Sequence, residues 1–592
     1  MGTHSKLNRR LGAFAVLLFL MVAGLSVRLV DFQVVKADEI QEKSLKSRSQ
    51  TETLQALRGD ILDSAGQVLA RTVFRYDINA APKNVGPVFQ TIDGVRTERS
   101  VEDIALELSQ LLGVDFAELI LKLDGDSEYS SLAKKVKAET FNAIKDMGVP
   151  WIFTDQFEDR LYPMGAVAGN VIGFVGSDGT PLAGLERQYN TCLAGVDGQQ
   201  TFERSAEGLP IPTSNQTTQP TQNGGELNLT IDSNLQFFAQ QVLADAVNEL
   251  SAEWASAIVI EVETGKILAA AEAPSVDPND PAAADSEDRG ARIFQAAFEP
   301  GSIMKALTAA IVLDTGTANE YQTVDAPDRI YLDFDDEYIK DSFDHDDYTL
   351  TLAGVLRYSS NTGMTNFASV IPRNTRYDYL KKFGLGSVST LRFEGESSGI
   401  LHPASQWDEM TNLVTTFGQG VSVTSMQMGY AYQAIANGGV RLDPRLVENC
   451  INEDGSVAYT PEQGSTRVIS EASANLNLEL MEKVVEFGGV GKTASIPGYR
   501  VAGKTGTAQL KDGSGYGSEY AISFYGVAPA ENPKFVVGVT IYRPEGVSNS
   551  ANATPPFKAI MQQALKHYRI PPSTTNSRNF PSDKYGKVDV ND

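Results

Sequence analysis

Leu11 to Val27 is an unbroken run of 17 uncharged, mainly apolar residues, and no second run of spanning length follows it in a chain of 592 residues. A helix needs roughly 20 apolar residues to cross about 30 Å of hydrocarbon. Leu29 and Val30 extend the run while Arg28 snorkels toward the headgroups. The chain is thereby limited to one membrane span and one large body folded in water. Lys6, Arg9 and Arg10 precede the run and Asp31, Asp38 and Glu39 follow it. The positive-inside rule then leaves residues 1–10 in the cytoplasm and the body outside, a single-pass type II arrangement in the cell membrane. Gly24-Leu25-Ser26 would suit a signal-peptide cleavage site. The run outlasts a usual signal core and continues into the amphipathic Leu29–Val35, which favours an uncleaved anchor at 11–30.

The body's length calls for several domains. With 50 Lys plus Arg against 75 Asp plus Glu the net charge is −25, which disfavours nucleic-acid binding because neutralising phosphates needs a basic surface. Cys192 and Cys450 are the only cysteines, so there is no disulfide framework and no CxxC pair; nothing in the sequence pairs them, and they are expected to be unpaired. Residues 36–57 read as a polar, helix-compatible stalk. Arg58 to Ala70 reads as a strand pair around an Asp/Ser/Gly turn. Residues 95–150 read as a helical lobe opened by a capping box at Ser100 and Asp103, with Ile104, Leu106, Leu108, Leu111 and Leu112 as its apolar face and further helices near 115–123 and 137–147. The polar Pro212–Gly225 reads as a connection, which makes 31–224 a stalk and pedestal. Residues 225–569 form a second domain, an α+β unit whose antiparallel sheet is assembled from its two ends: hairpins at Ser256–Ala271 and Tyr520–Ile541, helices at 233–250 and 556–568. The tail 570–592 is short of large apolar residues and is expected to be disordered.

Three motifs in the second domain carry chemistry. Ser302-Ile303-Met304-Lys305 opens an apolar, Ala-rich run, so hydroxyl and amine share one helical face. A serine needs an adjacent base, and lysine becomes one when an apolar setting favours its neutral form. With only four histidines in the chain, another base is expected to serve. Ser131-Leu132-Ala133-Lys134 matches the same pattern in a polar stretch, so the spacing alone proves little. Ser359-Ser360-Asn361 offers a hydroxyl relay and an amide that can hold a substrate carbonyl; Ser473-Ala474-Asn475 and Ser550-Ala551-Asn552 are chance copies. In Lys504-Thr505-Gly506-Thr507 an extended strand puts both threonines on one face, where they can bind a carboxylate beside the lysine charge. Gly498 to Thr505 satisfies the literal phosphate-loop pattern, but no helix-forming run follows Thr505, as such a loop requires. Asp341, Asp344, His345, Asp346 and Asp347 could suggest a metal; a solvated acidic loop is the preferred reading.

Ser-x-x-Lys, Ser-x-Asn and Lys-Thr-Gly in this order are the signature of penicillin-binding proteins and class A β-lactamases. The chain resembles a class B penicillin-binding protein, the monofunctional peptidoglycan D,D-transpeptidases. Arg58-Gly59 with Asp63, Gly66, Leu69 and Ala70, then Arg160-Leu161-Tyr162-Pro163 and Gly184-Leu185-Glu186, look like that family's pedestal motifs. Phe417-Gly418-Gln419-Gly420 with Thr424 and Gln427, then Asn437-Gly438-Gly439, look like the helical part of its catalytic domain. The likeness runs from the anchor to about residue 569 and is weak in 95–150 and the tail. Ser64 stands where many relatives carry arginine.

The resemblance implies a serine β-lactamase-like transpeptidase domain on an elongated pedestal. It implies that Ser302 is the nucleophile, Lys305 its base, Ser359 a proton relay, and Asn361 and Lys504 catalytic partners. Thr505, Gly506 and Thr507 would bind substrate, and the backbone N–H groups of Ser302 and Thr507 would form the oxyanion hole. No metal or other cofactor is implied. Implied partners are peptidoglycan stem peptides, β-lactams, a SEDS-family glycosyltransferase and membrane proteins of the divisome. The layout is most like the division-specific branch, with side-wall synthesis as the alternative. A β-lactamase would lack the pedestal and anchor, and a β-lactam sensor would carry a multi-span signalling segment.

Overall fold

A computed structural model of the chain describes residues 3–40, 43, 49–92, 95–203, 217–332, 337–512, 515–547 and 549–583. The chain divides into two compact units, one made of Met1–Leu57 with Ala194–Gly224, the other of Arg58–Leu193 with Gly225–Asp592.

In the first unit the apolar run lies in a helix, Thr3–Val30, continued by a π-helical turn at Asp31–Val35. It is the one helix, among the described residues, long and apolar enough to cross a membrane. The helix-compatible stalk is corrected at its end: Ser49–Leu54 is a strand paired antiparallel with Gly198–Glu203, which pairs in turn with Thr217–Gln219. Thr51 and Thr53 favour an extended backbone, and the partner strand, about 150 positions away, supplies the ladder. Part of the polar connection, 212–216, lies outside the described residues.

The second unit carries a five-stranded antiparallel sheet in the order Ile267–Ala273, Trp254–Glu261, Phe535–Tyr542, Gly515–Ala528, Ala502–Asp512. Its strands come from both ends of the predicted domain. Three of them are almost entirely buried across their width, Trp254–Glu261, Ile267–Ala273 and Phe535–Tyr542, because both faces are covered. Tyr525 stands in register with Gly538 and turns toward Tyr432 of the helix Ser425–Ala436; its neighbour Phe524 turns the other way, onto Phe557 of Thr554–His567. Ser425–Ala436 starts with a true capping box, Thr424 with Gln427.

A second sheet ties the pedestal motifs to this domain. Glu226–Leu229 pairs in parallel with Ile61–Leu62 and antiparallel with Val447–Ile451, so hydrogen-bonded strands run across the boundary placed at 224/225. Ile61–Leu62 continues into Val68–Ala80, flanked by Ser130–Lys137 and Ile152–Leu161. The three pedestal motifs meet at one buried carboxylate. Glu186 accepts from Arg58 Nε at 2.6 Å, Arg160 Nε at 2.8 Å and Tyr162 Oη at 3.3 Å. Asp63 does not need the family's arginine: its Oδ1 accepts the N–H groups of Ala65 and Gln67, and its Oδ2 accepts the hydroxyl and N–H of Ser233.

The 95–150 lobe has its own core, including Ile78, Ile104, Leu108, Leu119, Leu132, Ile144 and Trp151. Its helices span Val101–Leu112, Phe116–Leu123 and Ala138–Asp146. Ser100 caps the first through Asp103 N–H. The lobe is not purely helical, because Ser130–Lys137 is a strand, and Leu106 points to solvent instead of joining the apolar face.

Two further expectations are corrected. Cys192 and Cys450 form a disulfide, with Cα atoms 6.4 Å apart. Cys450 lies on the strand opposite Leu227, and Cys192 O accepts Gly225 N–H; a Cβ at Gly225 would lie 2.9 Å from Cys450 Sγ. Residues 570–583 of the tail are ordered, and 584–592 lie outside the described residues. Ser573 N–H donates to Gly498 O, Arg500 reaches the hydroxyl of Thr575, Phe580 is buried, and Thr351 N–H donates to Ser582 O. A few backbone bonds and one buried phenyl ring hold a segment that its polar composition alone does not.

Candidate active site

The apolar run after Ser302 forms the helix Met304–Asp314, buried from Met304 to Val312 and entered through a 3₁₀ turn, Gly301–Ile303. Neighbouring elements close on it from several directions: Tyr432 Oη donates to Ile303 O, Thr308 Oγ1 to Thr416 O, and Asn477 Nδ2 to Ala306 O. The turn is set by close backbone approach. Gly301 has φ +53°, its N–H donates to Gly418 O, and a Cβ there would stand 2.5 Å from Thr507 O. A Cβ at Gly418 would stand 2.2 Å from Gly301 O, which gives the Phe417–Gly420 motif its place. Ser302 is left partly exposed; Lys305, one turn on, is fully buried.

Ser359 ends the helix Leu352–Tyr358 with a left-handed backbone, φ +62°. This conformation is costly for a side-chain-bearing residue and persists where surrounding contacts impose it. Here it aims the hydroxyl at two amines. Lys504 Nζ donates to Ser359 Oγ at 2.9 Å, and Lys305 Nζ reaches the same oxygen at 3.3 Å and the Ser359 carbonyl at closer range. Lys504 sits on the strand Ala502–Asp512, which continues straight past the threonines and so removes the phosphate-loop reading. Its Nζ also meets Thr505 O and Oγ1, each at 3.2 Å. Thr505 is buried and Thr507 partly exposed. A side chain at Gly506 would collide with Ser523 and Ile303.

Burial controls the electrostatics. Desolvation pulls the Lys305 ammonium down to about 7, opposed by the carboxylate of Asp341. Lys504 is pushed well below its ordinary value, first by burial and then by repulsion from Lys305. Two amines sharing one hydroxyl, with one near neutrality, make a proton acceptor and a relay.

Asn361 opens the helix Asn361–Ala368, and its Nδ2 donates to Lys340 O at 2.8 Å. The acidic loop reading is corrected in part. Asp344 is solvated, but the side chains of Asp341 and His345 are each only 3 % exposed. Asp341 holds the start of the Asn361 helix, a role that sequence reasoning missed. The available signal was a lone histidine four residues after Asp341, between Phe343 and Tyr348. The rival matches stay apart from this cluster: Ser131 and Lys134 are on a strand of the lobe, Asn475 is inside the helix Glu471–Val485, and Asn552 is in a short 3₁₀ turn.

Residues 255–562 match the penicillin binding protein transpeptidase domain, and 53–229 match the penicillin-binding protein dimerisation domain. The chain is similar to penicillin-binding protein PbpB of Mycolicibacterium smegmatis, 31% identical over 95% of this chain and 91% of the relative. It is 30% identical to the peptidoglycan D,D-transpeptidase FtsI of Escherichia coli K12, over 95% and 92%. A peptidoglycan synthetase of Bifidobacterium adolescentis superposes with a TM-score of 0.70 at 30% identity, covering 90% of this chain and all of that one. Penicillin binding protein 3 of Mycobacterium tuberculosis complexed with aztreonam gives 0.68 at 28%, covering 88% and 98%. With its three motifs gathered around one hydroxyl on this fold, the chain belongs to the penicillin-binding protein transpeptidase family.

Proposed function

We infer that this chain is a peptidoglycan D,D-transpeptidase that cross-links stem peptides through a serine acyl-enzyme and is acylated by β-lactams. The observation that carries the reading is the convergence of Lys305 and Lys504 on Ser359 Oγ, beside the turn that presents Ser302. Ser302 Oγ attacks the penultimate D-Ala carbonyl and its proton passes to Lys305 Nζ. Backbone N–H groups of Ser302 and Thr507 receive the developing oxyanion; a preorganised donor of this kind contributes about 3–4 kcal/mol. Lys504, Thr505 and Thr507 bind the terminal carboxylate, with Gly506 leaving room between them. Ser359 relays the proton to the departing amine, D-Ala leaves, and the amine of a second stem attacks the ester to form the cross-link and release Ser302.

Intact-mass analysis after incubation with a penicillin tests this. One adduct per chain is expected, lost in Ser302→Ala and kept in Ser131→Ala; an adduct on another serine overturns the assignment. The adduct is expected to be long-lived, and rapid turnover of penicillin would point to a β-lactamase.

The anchor at 11–30 is read as a type II span with the catalytic domain outside the cytoplasm, supported by the flanking charges. Similarity to FtsI supports a septal role, which depletion tests: blocked septation with continued elongation agrees, loss of side-wall growth favours the alternative. Gly12, Ala13, Ala15, Ala23, Gly24 and Ser26 permit close helix packing in lipid, and a SEDS-family glycosyltransferase of the divisome is the proposed neighbour. Replacing 11–30 by an unrelated span of the same orientation is expected to abolish co-purification with that enzyme while Ser302 acylation persists. Retained co-purification and growth would reduce the span to a tether.

A further inference from the structure

The helix that begins at Asn361 has N–H groups with no intrahelical partner, as every helix does at its start. Ser360 Oγ accepts one of them, from Gly363, at 2.9 Å. Two others, from Asn361 and Thr362, converge on a single oxygen, Asp341 Oδ1, the second at 3.1 Å. The segment carrying Asp341 is fastened in return: its own N–H donates to Asp328 O, and Asn361 Nδ2 donates to the neighbouring Lys340 O. The other carboxylate oxygen faces His345 Nε2 at 3.0 Å. The imidazole lies with Nδ1 2.7 Å from Asp346 O and stacks on Tyr348, ring centres 4.4 Å apart and planes 2° from parallel. Across the turn lie the two buried amines of Lys305 and Lys504, both against Ser359.

We propose that Asp341, backed by His345, is a positioning residue of the acylation site: its carboxylate holds the Ser359–Asn361 turn against Lys305 and supplies negative charge to that buried amine. This rests on the acyl-enzyme reading above. A carboxylate at a helix start satisfies donors and favours the positive end of the dipole at once, and the donors it satisfies belong to the turn that directs Ser359 into the left-handed region. Its charge also opposes the desolvation of Lys305. The groups around that charge are Lys305 on the catalytic side, itself beside Lys504, and His345, Asp346 and Tyr348 on its own.

The two functions separate by substitution. Asp341→Asn keeps an acceptor oxygen for both N–H groups and removes the charge; Asp341→Ala removes both. The measurement is the second-order rate of penicillin acylation of the full-length chain in detergent, from about pH 5 to 9, with the thermal midpoint alongside. For Asp341→Asn, a plateau within several-fold of wild type is expected, with the acid limb moved to lower pH, because loss of the carboxylate lets the Lys305 proton leave sooner. For Asp341→Ala, a plateau lower by roughly a hundredfold is expected, the scale of a small misplacement of a catalytic group. A wild-type acid limb in Asp341→Asn, or a wild-type plateau in a folded Asp341→Ala, overturns the proposal. If Asp341→Ala fails to fold, the limb of Asp341→Asn decides. Failure of wild-type Ser302 to acylate would instead sink the acyl-enzyme reading itself.

Discussion

Lys305 is buried as completely as any leucine of its helix, and this burial is the largest influence on the pH behaviour of the site. A lysine accepts the Ser302 proton only when neutral, and desolvation brings its pKa to about 7. Above that value most chains hold the free amine; each pH unit below it removes about nine-tenths of what is left. Acylation is therefore expected to rise through pH 7 and level off above it, and a rate flat through acidic pH would show that Lys305 is not the base. Lys305→Ala is expected to lower acylation by roughly 10²–10⁴-fold, the usual range for a general base, measured as adduct formation against time. The sequence pointed to both lysines through their motifs. It could not reveal that they share the hydroxyl of Ser359, because a left-handed serine at a helix end is produced by the contacts around it.

Elements meet in this molecule through glycine and through one carboxylate. The 3₁₀ turn carrying Ser302 lies against the strand Ala502–Asp512 because Gly301 has no Cβ to strike Thr507 O, and its φ of +53° suits glycine. Gly301→Ala is expected to leave a folded protein whose acylation rate falls about a hundredfold, checked by thermal midpoint and adduct kinetics together. In the pedestal, Glu186 pairs with both Arg58 and Arg160 with no exposed surface of its own. Glu186→Ala is expected to destabilise by about 3–5 kcal/mol, since it strands two guanidinium groups; a midpoint equal to wild type would show that water or another acid takes over. The three pedestal motifs were legible as separate strings. Their common target was not, because Arg58, Arg160 and Glu186 meet only after the strands have paired.

The Cys192–Cys450 disulfide joins positions 258 residues apart, one in the pedestal half of the sequence and one in the catalytic half. Cross-linking so long a loop restricts the unfolded chain; disulfides typically contribute about 2–4 kcal/mol, and such bonds persist in oxidising compartments. The double variant Cys192→Ala, Cys450→Ala is expected to lower the thermal midpoint while penicillin still acylates Ser302 at room temperature; a midpoint unmoved by both substitution and reductant would show that the bond does not carry load. By itself the sequence determined what depends on local spacing and on composition: the apolar N-terminal helix, the order of the three catalytic motifs, the hairpins of the sheet and the cap at Ser100. Those features rest on residues a few positions apart. Only the tertiary structure decided the disulfide, the burial of Asp341 and His345, the pairing of Ser49–Leu54 and the docking of the tail as far as Asp583. Each of these depends on segments tens to hundreds of residues apart, whose encounter is set by the packing of the whole chain and leaves no periodic trace in any one of them.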